Sequence, residues 1–129
     1  MFDDDDTIRV YVPPGWPGSV RPPGSQGWLS SAESFLLDCC PAEYRGYPVV
    51  RRHPVVLARM AQEFVASQLL ATRSGLTGLR ASLSGVVDAD TADQAAGVLQ
   101  QEEARLIRVA RGVDLVEQAL RDARFKPRL

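Results

Sequence analysis

The residues of this chain best suited to chemistry are cationic. Arg51, Arg52 and His53 stand in a row, with Arg45, Tyr44 and Tyr47 just before them and Arg59 just after. Guanidinium groups recognise carboxylate and phosphate oxygens through paired N–H donors, and tyrosine rings add stacking surface. The pattern therefore points to anion binding. Arg51 and Arg52 also precede a helix start, where positive charge opposes the helix dipole, so they require an anion or open water. Three kinds of anion fit. One is internal, from Asp3, Asp4, Asp5 and Asp6 or from Glu43, of the same or a neighbouring subunit. The others are nucleic-acid phosphate and an acidic patch on another protein.

Catalytic patterns are weaker. A nucleophile, a base and an orienting group must converge in a pocket, yet the one histidine, His53, sits at a helix cap. Cys39 and Cys40 are adjacent, and neighbouring cysteines close a disulfide only with strain. They read as small apolar fillers at a helix end, since a metal site would have only His53 to add. Glu102 is the single carboxylate on an apolar helix seam, within reach of Arg73 or Arg80 in an antiparallel pair, and reads as a polar register device. No catalytic residue, metal ligand or cofactor is assigned, and the reading is against an enzyme.

Two long helices are expected to position these groups. Pro54 suits the first helical position, which leaves His53 as the cap. From there Ala58, Val65, Leu69, Leu76, Leu79, Leu83 and Val86 recur at steps of three and four, with Gln62 and Thr72 in the remaining seam positions. Leu57, Met60, Ala61, Phe64 and Ala71 widen the face in the first half only, so that half needs more than one neighbour. Gly85 suits the helix end, and Asp88 or Asp90 would cap the next helix. The second seam is Ala92, Ala95, Leu99, Leu106, Val109, Val113, Val116, Leu120 and Ala123, and Pro127 stops it. Helices over 53–86 and 91–125 would each run about 45 to 50 Å at 1.5 Å per residue, and a short connection makes them antiparallel neighbours. Gly75, Gly78, Gly97 and Gly112 each cost up to about 1 kcal/mol against alanine, and the small residues of the first helix read either as local crowding or a bend near residues 74 to 78 or as a self-association face. Ser74, Gly78, Ser82 and Gly85 form a small-residue stripe that would suit self-association.

The N-terminal part reads as a wrap over one end of that hairpin. Residues 1–6 are an acidic tail without fixed structure. Ile8, Val10 and Val12 alternate with polar neighbours, so a short β-strand is expected over 7–12. Its partner would be the extended GYPVV segment at 46–50, which Pro48 restricts to an edge, or the same strand of a second subunit. Residues 13–27 form a proline- and glycine-rich loop, with Trp16 and Trp28 as aromatic anchors against the hairpin. A short helix follows, capped by Ser30 or Ser31, with Phe35, Leu36 and Cys39 sharing one side.

This architecture gathers Arg45, Arg51, Arg52, His53 and Arg59 with Arg121, Arg124, Lys126 and Arg128 at one pole, and Asp88, Asp90 and Asp93 at the other. The whole chain, with 15 Lys and Arg against 16 Asp and Glu, has a net charge of -1 and no general pull toward polyanions. An acidic N-terminus and the lack of a long apolar run argue against a signal peptide or membrane span and for the cytoplasm. Lys126 is the only lysine, a coding habit of GC-rich bacterial genomes. The expected fold is mainly α: one domain over 7–129, built as a long antiparallel two-helix hairpin with a short helix and an extended N-terminal wrap (7–52). Two helices bury only one seam each, so a homodimer or another helical protein is the expected partner. The expected function is a noncatalytic protein–protein interaction module, an adaptor or regulator. The alternative is a nucleic-acid-binding accessory protein that uses the arginine pole.

Overall fold

The computed structural model describes residues 11–121 and Phe125. They are mainly helical: α1 (Trp28–Asp38), a 3₁₀ turn (Ala42–Gly46), α2 (Pro48–Arg52), α3 (Pro54–Leu83) and α4 (Ala89–Leu120), with no β-strand among the described residues. Most of the strand expected over 7–12 lies outside them, and Tyr11 and Val12 are irregular.

The 46–50 segment is not extended. Pro48 opens α2 at its first turn, where a missing amide costs nothing, and the Val50 amide bonds back to the Tyr47 carbonyl at 3.2 Å. Coiling the segment turns Val50 fully inward, which a solvent-edge strand would not have done. His53 then breaks the path at φ -128, ψ 89, as a residue before proline should. Its carbonyl accepts from the Leu57 amide at 3.1 Å, but its side chain caps nothing.

From Pro54, α3 runs 30 residues without interruption, through Gly75 and Gly78. It stops at Leu83 and not at 86, because Gly85 adopts φ +79, a left-handed conformation that ends a helix. Val86 is consequently not a seam residue and stands exposed beyond the end. The Asp88 carboxylate accepts from the Thr91 amide at 2.7 Å and so caps α4, which starts at Ala89 and ends at Leu120. Ala123 lies outside the described residues.

Cross-helix bonds fix the relation of the two long helices. Gln62 reaches Asp114 and Glu117, Arg73 reaches Glu103, and Arg80 reaches Asp93. Positions on α4 fall as those on α3 rise, so the helices run in opposite directions. The core lies at one end of this pair, where Leu36 of α1, Val50 of α2, Leu57 and Ala61 of α3 and Val113 and Val116 of α4 are buried together. Each fully buried leucine or valine contributes roughly 1.5 to 3 kcal/mol. Beyond Val65 no residue of α3 is buried, and α4 supplies only Leu106 and the small Ala92 and Ala96 there.

The N-terminal segment closes the core end. α1 begins at Trp28, three or four residues earlier than a serine cap would place it, because Gly27 takes φ +81 and turns the chain into the helix. Ser31 instead ties the loop down: its hydroxyl accepts from the Arg21 amide and donates to the Trp28 carbonyl, both at 2.9 Å.

Candidate functional site

The α1 helix, the 3₁₀ turn and α2 bring Arg45 and Arg51 together, and α1 supplies their counter-charges. Arg45 pairs with Asp38 at 2.7 Å and Arg51 with Glu33 at 3.3 Å. Arg51 also donates to the Arg45 carbonyl at 3.4 Å. Among the described residues, the carboxylates paired with these two arginines are Glu33 and Asp38, and Glu43 pairs with neither; Asp3, Asp4, Asp5 and Asp6 lie outside the described residues. Helix α1 presents these carboxylates to the turn packed against it, whereas Glu43 sits in the exposed first turn of that 3₁₀ segment. Exposed pairs of this kind contribute about 0 to 1 kcal/mol. Arg52 and His53 are exposed and make no ion pair among the described residues. Tyr44 and Tyr47 face one another with ring centroids 5.9 Å apart at 41°.

Arg59 and Arg121 enter a second cluster between α3 and α4. Gln62 is its hinge: its amide oxygen accepts from Arg59 at 2.5 Å, and its amide nitrogen donates to Asp114 at 3.0 Å and Glu117 at 3.2 Å. Glu117, with only 13% of its side chain exposed, also accepts from Arg121 at 2.6 Å. Two helices thus share one chain of charge-assisted bonds. Arg124, Lys126 and Arg128 lie outside the described residues.

Trp16 and Trp28 stack with centroids 5.8 Å apart, and Phe125 meets Trp16 edge-on at 5.9 Å. The Trp16 indole N–H donates to the Val20 carbonyl at 2.9 Å, so its polar atom is satisfied as the ring packs.

Glu102 does not face Arg73 or Arg80. It pairs with Arg105 on its own helix, which holds its carboxyl below the usual range. Arg73 bonds Glu103, and Arg80 bonds Asp93, both at 2.8 Å. One residue of rotation on a helix is about 100°, enough to turn 103 toward α3 and 102 along α4. Cys39 lines a hollow of about 490 Å³ with Phe35, Phe64 and Val109. Burial, reinforced by Cys40 and Asp38, pushes its thiol up to about 11, the reverse of what a nucleophile or metal ligand requires. Among the described residues no group of three His, Cys, Asp or Glu could hold a metal ion, and no helix is long and apolar enough to cross a membrane.

Three further arginines enter only with the structure. Arg105, Arg108 and Arg111 line a cleft of about 590 Å³ between α4 and residues 15–19 of the loop. Their spacing of three is visible in ARLIRVARG, but without the loop position it reads as an exposed helix face. Comparison of the chain with protein-family models, with curated proteins and with solved structures finds no match in any of the three.

Proposed function

We propose that this chain is a noncatalytic protein–protein interaction module, an adaptor or regulator. Its working element is an antiparallel hairpin of α3 and α4, held at one end by the N-terminal wrap, and it pairs through the free end with a second copy or another helical protein. The observation that carries this reading is the thinness of the free end. Leu69, Leu76, Leu79 and Leu83 of α3 are only half-buried against α4, and no third layer covers them among the described residues. Leu70 and Val98, on the outside of the same arm, are 71% and 62% exposed. Apolar surface left in this state gains roughly 25 cal/mol per Å² when a partner covers it.

Light scattering across a concentration series tests self-association. The expected result is a dimer that Leu70→Glu and Val98→Glu convert to monomer at unchanged helicity. A strict monomer at high concentration would remove the second copy as partner.

The nucleic-acid reading is the weaker one, because Arg45 and Arg51 already hold carboxylates. It would rest on Arg52 and His53, with Tyr47 close to them in sequence. A gel shift at low and moderate salt with R52A would support it only if steeply salt-dependent binding disappears.

A further inference from the structure

We propose that the cleft over residues 105–112 of α4 binds a small amphipathic anion, a molecule with an apolar body and one anionic head. The cleft, about 590 Å³, falls within the roughly 300 to 1,000 Å³ of ligand sites. Its floor is apolar, built from Trp16, Pro17, Phe35 and Val109. Gly112 keeps that floor shallow, since its bare backbone lets Pro17 lie directly on the helix.

The rim has the opposite character. Arg105, Arg108 and Arg111 follow one another at steps of three, so like charges are neighbours on one side of the helix and repel. Glu102 neutralises Arg105, while Arg108 and Arg111 make no ion pair among the described residues. The Arg111 stem is held in place by Gly15, whose φ of +95 and missing side chain leave room for the Arg111 Cγ 2.8 Å from where a Cβ would stand. The stem thus packs on the loop and its guanidinium stays at the rim. An anion seated there would relieve the repulsion, and attraction strengthens beside an apolar floor where the dielectric is low.

The lining selects an amphipathic ligand. Apolar side chains and the guanidiniums of Arg108 and Arg111 line the same cleft, so a wholly apolar ligand would leave both arginines without an anion. A bare phosphate or a nucleic-acid backbone would leave the apolar floor uncovered.

The test uses the full chain and the fluorophore 8-anilinonaphthalene-1-sulfonate, itself an apolar body with an anionic head. Decanoate, decyl phosphate and decanol are then compared as competitors below their micelle concentrations. Decanoate or decyl phosphate should displace the fluorophore about tenfold more strongly than decanol, the scale of one charge-assisted bond. Whichever anion is stronger identifies the preferred head. The double variant R108Q/R111Q should weaken both anions about tenfold, leave decanol unchanged and keep a cooperative thermal melt. The single variant R108Q should fall between. The proposal is overturned if the fluorophore does not bind, if decanol matches the anions, or if the folded double variant binds them as the unaltered chain does.

Discussion

Pro17 sits against the backbone of Gly112: a Cβ built on that glycine would stand 2.9 Å from Pro17 Cγ and 3.3 Å from Phe35 Cζ. A proline ring has little freedom to retreat, so this contact is where the N-terminal loop is keyed onto α4. Gly112→Ala should destabilise the protein despite the better helix propensity of alanine. A clash in a packed region costs about 1 to 3 kcal/mol against a gain of up to about 1 kcal/mol. Gly78→Ala and Gly97→Ala, where a Cβ meets nothing within 4 Å, should each raise stability by about 0.5 to 1 kcal/mol. Denaturant melts of the three variants provide the comparison, and a stabilised Gly112→Ala would refute the key.

Gln62 joins α3 to α4 through Asp114 and Glu117. A double-mutant cycle with Gln62→Ala and Glu117→Ala should give a coupling of about 1 kcal/mol, the usual net size of an intramolecular hydrogen bond. Additive losses would mean that the bond contributes nothing to holding the helices in register.

The Asp88 carboxyl lies below its ordinary value of 3.8, chiefly because it accepts bonds from Thr91. With the folded pKa depressed, its contribution is complete above pH 3.8 and disappears as pH falls through the lower folded value. Asp88→Ala should lower the melting temperature at neutral pH. Asp88→Asn should retain the cap and flatten the acid limb. Melting curves of the three proteins at neutral and acid pH separate these outcomes.

The Cys39 thiol, pushed from 9.0 to about 11 by burial, should carry roughly a hundredfold less thiolate at neutral pH than an ordinary thiol. Alkylation by iodoacetamide should be slower by about that factor in the native protein and recover in denaturant. Cys40, also raised by burial, should follow in the same direction. The linked stability is present below pH 9.0 and lost as pH rises through about 11. Fast native alkylation at Cys39 would contradict the buried assignment.

The local features of this chain were legible because they depend on near neighbours. Pro54 starting a helix, Asp88 as one of two candidate caps, Gly85 past a helix end, and the three-four spacing from Ala58 to Leu83 all express interactions within a few residues. One polar interruption, Gln62, also falls on the seam and bonds across it.

What the sequence could not decide was rotation and reach. Glu102 and Glu103 differ by one residue, yet only Glu103 meets Arg73, because the phase of α4 about its own axis is set by how its whole apolar stripe beds against α3. Arg45 and Arg51 found Asp38 and Glu33 because packing α1 against α3 carried those carboxylates to the turn, a contact between separate elements that no local pattern encodes. The row Arg105, Arg108 and Arg111 became the edge of a cleft only when Pro17 settled on Gly112. Periodicity and capping follow from the chain's covalent order. Which charges meet follows from the orientation of rigid helices, and that is settled by burying the core as a whole.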